Sequence, residues 1–206
     1  TVVCFNYYDR SGSLVNIKFR SSNKEFKMNS GSQLIFYGLD VAETNSGPIV
    51  ICEGEIDALS FYEAGIKRAI SVPNGASKGN QNLEYLDNCW DFFGDDSKII
   101  IATDSDEPGV ALREELARRL GRDRCKYLVY PDGCKDANDV LKTHGIDSLK
   151  DVVQNAKEYP LEAILTADDI YDELNQIYDS GYPTGVPIGV PGLDALVKFK
   201  IGRAHV

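Results

Sequence analysis

The sequence predicts an α/β fold: a mainly parallel sheet flanked by helices, preceded by a small β-rich unit and followed by a helical linker. Three observations predict it. Short apolar runs rich in β-branched residues recur at residues 49–52, 98–103 and 125–130, and read as buried strands of a parallel sheet. Helical patterns separate these runs, which is the alternation of a parallel sheet with helices on its faces. The flanks differ from the middle, with strand-like alternation before residue 46 and a Gly/Pro-rich stretch after residue 181.

In chain order, residues 1–45 read as the β-rich unit. Residues 2–8 form one strand and residues 9–12 a turn. Residues 14–20 alternate Leu14, Asn16, Lys18 and Arg20 with Val15, Ile17 and Phe19, a half-buried strand with one polar face. Residues 24–28 make a third strand. Residues 46–157 are the α/β domain. Its opening strand at 49–52 leads into a helix over 56–64 that Gly65 stops. A strand over 69–72 is followed by a loop over 73–79 and a helix over 82–93. The best-defined helix spans 108–120. Pro108 suits its first position, Gly121 its stop, and Leu112, Leu116 and Leu120 form an apolar stripe. Further helices are expected from Asp139 and over 148–157. Residues 158–206 are linker and the start of another domain. There Thr166 caps a helix whose apolar face is Ile170, Leu174, Ile177 and Tyr178, and residues 181–192 form a loop.

Composition bounds the function. At 206 residues, with 43% hydrophobic and 26% charged, the chain is globular rather than disordered. A net charge of −10 argues against a generally basic nucleic-acid binder, yet allows a local basic face. Residues 10–27 supply one: Arg10, Lys18, Arg20, Lys24 and Lys27 stand against Glu25 alone. The five cysteines include no C-x-x-C pair, which argues against a zinc finger or ribbon. Their odd number and scatter read as reduced intracellular thiols. No apolar run is long enough to span a membrane. The expected compartment is the cytoplasm, with an organelle as the alternative.

Carboxylates cluster at the strand ends. Glu53-Gly54-Glu55 follows the first strand, Asp104-Ser105-Asp106-Glu107 the second, and Lys135-Asp136-Ala137-Asn138 lies in the loop after the third. In a parallel sheet all three ends share one edge, where open α/β sheets bind ligands. Converging carboxylates repel unless a cation joins them, and oxygen ligands suit Mg²⁺ or Mn²⁺. The expectation is a metal-dependent phosphoryl-transfer site.

These motifs resemble the TOPRIM domain, a Rossmann-like fold shared by bacterial-type primases, topoisomerases and some nucleases. Lys135-Asp136-Ala137-Asn138 is similar to the third acidic site of primases. The basic stretch from Phe19 to Lys27 resembles the N-terminal subdomain of the polymerase core in phage primase–helicases. The run from Gly185 to Asp194, with Gly202 to Val206, resembles the entry to a ring-helicase domain. The family's zinc-binding module has no cysteine pair here, and no G-x-x-x-x-G-K-[ST] is present.

The resemblance implies a DNA primase core of a phage- or mitochondrial-type primase–helicase. Such a core makes short RNA primers on single-stranded DNA from ribonucleoside triphosphates. Glu53, Asp104, Asp106 and Asp136 would hold Mg²⁺ or Mn²⁺, with Glu53 either a ligand or the general base. Arg20, Lys24, Lys27, Lys78 and Lys135 would bind nucleotide or DNA. A helicase domain of the full-length chain, forming a hexamer, is the implied partner, and no membrane is. The alternatives are an inactive primase-like DNA-binding module of a ring helicase and a TOPRIM nuclease.

Overall fold

The computed structural model describes residues 1–23, 25–76, 82–94 and 97–160, with single positions at 171, 174–175, 177–179 and 189. It divides into two compact units, Thr1–Pro160 and Leu161–Val206. In the second unit, positions 171, 174–175 and 177–179 are helical, and Tyr171, Leu174 and Tyr178 are exposed. The rest of the expected linker helix and the loop over 181–192, apart from position 189, lie outside the described residues.

The first unit has the expected α/β architecture. Strands β1 (Val2–Tyr8), β2 (Leu14–Ser21) and β3 (Phe26–Met28) form an antiparallel sheet in the order β1-β2-β3. A short helix α1 (Leu39–Glu43), which no sequence pattern announced, leads to the main sheet. Its elements follow as β4 (Ile49–Cys52), α2 (Glu55–Glu63), β5 (Ala69–Ser71), α3 (Glu84–Asn88), β6 (Ile99–Ala102), α4 (Glu107–Leu120), β7 (Cys125–Tyr127), α5 (Ala137–Gln154) and β8 (Lys157–Glu158). Among the described residues the strand order is β5-β4-β6-β7-β8, parallel except for β8.

Each central strand faces two cores because side chains alternate. Ile49, Ile51, Ile99 and Ile101 pack with Leu112, Leu116 and Leu120 of α4 on one face. Val50, Cys52, Ile100 and Ala102 pack with Ala58 and Phe61 of α2 and Ala137 and Val140 of α5 on the other. Each fully buried aliphatic side chain contributes about 1.5–3 kcal/mol, so these two faces hold the sheet. Phe5 and Tyr7 of β1 join the first core and anchor the small sheet to the domain. At the outer side of β5, Tyr37 and Ser71 exchange backbone hydrogen bonds at 3.0 and 3.2 Å, which covers that edge.

Several boundaries differ from expectation. The helix expected over 82–93 is only α3 and a 3-10 turn at Trp90–Phe92. β7 ends at Tyr127, three residues early, because the backbone leaves the sheet for the Asp136 loop. α5 starts at Ala137 rather than Asp139, since the Asp136 side chain caps it. It breaks at Gly145, whose φ of 83° and ψ of −177° are not helical. The helix expected over 148–157 ends at Gln154, and its expected last residue, Lys157, instead starts β8, which pairs with β7.

The topology sets the site. The chain runs from β4 to β5 on one side and returns to β6 on the other. α2 and α4 therefore lie on opposite faces of the sheet, and a crevice opens beyond the carboxyl ends of β4 and β6.

Candidate active site

Glu53 stands at the mouth of that crevice, one residue past β4. Its Oε1 accepts from the Ala76 amide at 3.0 Å and its Oε2 from the Asp104 amide at 3.4 Å. Burial raises its pKa, and the Asp104 and Asp106 carboxylates add to that, while the Ala76 amide opposes it. Gly54 starts α2 without a side-chain cap. A Cβ there would sit 3.1 Å from Asp57 Oδ2, so the small residue leaves Asp57 its place.

After β6 the spacing Asp-x-Asp-x-x-Gly has a mechanical reason. Asp106 caps α4, its Oδ1 accepting from the Gly109 amide at 2.9 Å. A Cβ on Gly109 would lie 2.2 Å from the Asp104 carbonyl oxygen, so only glycine lets the helix press against that backbone. The buried Thr103 hydroxyl donates to the Gly109 carbonyl at 2.8 Å and closes the turn. Asp104 is thereby fixed, half-buried, beside Glu53. Burial raises its pKa, with Lys135 opposing and Asp136 and Asp106 reinforcing.

The third loop brings Lys135 and Asp136. The Lys135 ammonium lies 3.2 Å from Asp104 Oδ2 and 3.2 Å from Asp136 Oδ2. Partial burial works against its charge, but bonds to Asp136 and Asp104 outweigh this and its pKa is raised. The Lys135 carbonyl accepts from the Ser105 amide at 3.0 Å, which ties the two loops together. Asp136 caps α5 by accepting from the Asp139 amide at 2.7 Å. Asn138 bridges to α2, its amide N–H donating to Asp57 Oδ1 at 3.1 Å and its Nδ2 to the Ser60 hydroxyl at 3.0 Å. Burial, then the nearby Asp136 charge, pushes the Asp57 carboxyl up to about 7.

The small sheet forms the facing wall. The expected polar face of β2 is its more buried one. Asn16 and Lys18 are buried, whereas Leu14 is exposed and Val15, Ile17 and Phe19 are only partly covered. The reason is a partner: Lys18 Nζ donates to Glu55 Oε1 at 2.6 Å and to the Pro73 carbonyl at 2.8 Å. The Tyr7 hydroxyl donates to the same Glu55 oxygen at 2.5 Å. Sequence reasoning missed this clamp, because a glutamate such as Glu55 at a helix start reads as a cap. In the structure Gly54 holds the cap position of α2 without a side-chain bond, and Glu55 turns to Tyr7 and Lys18 instead. Pairing of Arg20 with Phe26 and of Phe19 with Lys27 puts Arg20 and Lys27 on opposite faces of the small sheet.

One cavity of 630 Å³ gathers the site. Glu53, Asp104, Asp136 and Lys135 line it from the main sheet, and Arg20, Phe26 and Lys27 from the small one. Asp106 sits outside that lining, and its Oδ1 is spent on the helix cap. Lys24 and Lys78 lie outside the described residues. Among the described residues no three His, Cys, Asp or Glu side chains stand close enough to hold an ion, and Lys135 bridges the gap between Asp104 and Asp136. The donor set nevertheless fits a hard divalent cation. Its donors are carboxylate oxygens, Glu53 and Asp104 just past β4 and β6 and Asp136 at the start of α5, and burial, with neighbouring carboxylates adding, raises the pKa values of Glu53 and Asp104.

Residues 50–141 match the family model described as Toprim-like. The chain carries a Toprim-like domain. The domain holds all four acidic positions and Lys135, and the small sheet precedes it. Over its whole length the chain is 39% identical to the Twinkle homolog protein, chloroplastic/mitochondrial, of Arabidopsis thaliana, covering 31% of that protein. Over 79% of its length it is 42% identical to the Primase homolog protein of the same plant, covering 52% of it. Against the DNA helicase/primase of Enterobacteria phage T3 the identity is 28% over 88% of the chain and 31% of the relative. The chain thus spans about a third to a half of these curated relatives. Among solved structures, it matches one of bacteriophage T7 lagging-strand DNA polymerase with primase domains of two gp4 subunits bound to an RNA/DNA hybrid and dTTP. The TM-score is 0.66 at 28% identity, over 77% of this chain and 79% of that one.

Proposed function

We propose that this chain is the nucleotidyl-transfer core of a DNA primase, which copies single-stranded DNA into short RNA primers from ribonucleoside triphosphates. One observation carries the reading. A single cavity at the switch point has an acidic wall of Glu53, Asp104 and Asp136 and a facing wall with Arg20 and Phe26. Acidic groups serve phosphoryl transfer, and a cation beside them serves the phosphates of nucleotide or template. The names of the primase and helicase/primase relatives support this, as does the hybrid and dTTP bound in the phage structure.

Mg²⁺ or Mn²⁺ would be held by Asp104, Asp106 and Asp136, and by Glu53 if it is not the base. Such an ion neutralises phosphate charge and lowers the proton affinity of an attacking hydroxyl. The chain's own residues do the rest. Arg20 and Lys135, with Lys24, Lys27 and Lys78 as further candidates, bind phosphate oxygens. Glu53, with its raised proton affinity, is suited to accept the 3′-hydroxyl proton of a first nucleotide or primer. That oxygen then bonds to the α-phosphorus and pyrophosphate leaves. On this reading the partner is a helicase domain of the full-length protein, a ring expected to be hexameric. The setting is the cytoplasm or an organelle, the latter as the plant relative's name has it. Among the described residues no helix is long and apolar enough to cross a membrane.

The test is incubation of the chain with single-stranded DNA, ribonucleotides and Mg²⁺, scoring primers and cleaved template together. Primers are expected, and Asp104→Asn is expected to lower their yield on the order of a hundredfold or more. Cleaved template without primers would make it a nuclease. Binding without either product would make it an inactive module.

A further inference from the structure

The cavity contains one feature that phosphate and metal chemistry leaves unused. Phe26 lines it and is 54% exposed, although it faces the domain from the inner side of the small sheet. Two cations lie against its ring, Lys18 Nζ at 4.9 Å and the Arg20 guanidinium carbon at 5.5 Å from the centroid. Lys18 is itself fixed by Glu55 and the Pro73 carbonyl, so the ring rests on an immobilised support. An aromatic ring more than half exposed in a pocket otherwise crowded with charge suits a flat, polarisable ligand. The adjacent Arg20 suits a phosphate.

We propose that Phe26 is the platform on which a nucleobase stacks, with Arg20 holding the phosphate joined to that base. The inference rests on the nucleotidyl-transfer reading and deepens it, naming where the base is read rather than where the phosphate reacts. The base belongs either to the incoming ribonucleotide or to the single-stranded template, and the stacking chemistry is the same for both. The competing role for Phe26 is an apolar cover over the Lys18–Glu55 pair. Leucine would fill that role and could not stack.

The test uses the whole chain with Mg²⁺ and three probes: ATP, a single-stranded oligodeoxynucleotide, and inorganic triphosphate, which has no base. Phe26→Leu is expected to weaken ATP or the oligonucleotide roughly tenfold and leave inorganic triphosphate unchanged. In a Trp90→Phe background, which removes the chain's one native tryptophan, Phe26→Trp is expected to restore binding. Its indole fluorescence should be quenched by the base-bearing ligand and not by inorganic triphosphate. Whichever base-bearing ligand responds identifies the source. Wild-type affinity of Phe26→Leu for both base-bearing ligands would overturn the stacking role and leave the primase reading standing. Equal weakening of inorganic triphosphate would show that the ring only covers the cations. Failure of the wild-type chain to bind either ATP or the oligonucleotide would remove both readings.

Discussion

Asp57 illustrates how a single residue is held at a cost. It is buried, accepts one backbone N–H from Asn138, and lies near the Asp136 charge, so its carboxyl is pushed up to about 7. In the unfolded chain it titrates near the ordinary value for aspartate. Between those two values the folded state binds the extra proton, so stability falls as pH rises from about 4 to about 7 and is level beyond. Asp57→Asn keeps an oxygen for the Asn138 amide and removes the charge. It is expected to stabilise the protein above pH 7 by on the order of 2–4 kcal/mol and to have little effect near pH 4. Urea unfolding of both proteins across that range, without divalent ions, measures the difference. A gain independent of pH would mean that Asp57 carries no buried charge.

Among the elements, strands and caps differ in how much of them can be read from residues alone. β4 and β6 are legible because a strand buried on both faces has to be apolar throughout, and α4 because Pro108 and Gly121 mark its ends. Glu53 and Asp104 come together because each follows one of two neighbouring parallel strands, whereas Asp136 is brought in by the Ser105–Lys135 backbone tie and its cap on α5. The β5-β4-β6-β7 order, which creates the crevice, has no local signature. Nor does the clamp between β2 and α2, since burying Lys18 makes sense only once Glu55, Tyr7 and the Pro73 carbonyl surround it. That clamp leads to the site: Lys18 holds Pro73, and three residues on the Ala76 amide holds Glu53. Lys18→Met leaves the Glu55 charge buried with Tyr7 and is expected to cost about 3–5 kcal/mol. Adding Glu55→Gln should recover a large part of it, because the orphaned charge is then gone. Thermal and urea unfolding of the single and double variants decide this. A loss below about 1 kcal/mol in the single variant would mean that the pair contributes little to joining the small sheet to the domain.

At the scale of the whole molecule, the proposed function asks a chain of net charge −10 to hold a polyanion. Its overall field repels nucleic acid, so binding has to come from close contacts where cations outnumber acids. Within residues 10–27 Arg10 pairs with Glu43 and Lys18 with Glu55, so among the described residues Arg20 and Lys27 remain for such contacts, and the acidic wall opposite adds repulsion until a cation or Lys135 offsets it. Two consequences follow. Affinity for single-stranded DNA should be modest, and it should fall steeply with salt, because each phosphate contact releases a counterion. Arg20 and Lys27 both line the cavity but stand on opposite faces of the small sheet, so the two need not contribute alike. Arg20→Ala is expected to weaken binding and to flatten the slope of log K against log salt by about 0.7, the value for one lost contact with a single strand. Lys27→Ala should flatten it by a comparable amount only if the strand passes over the edge strand β3. Fluorescence anisotropy with a labelled oligonucleotide at several salt concentrations measures both slopes. If neither variant changes the slope, the DNA path runs elsewhere. The basic excess of residues 10–27 would then be an ordinary solvated surface, and the acidic cavity would have to draw its template from the other side of α5.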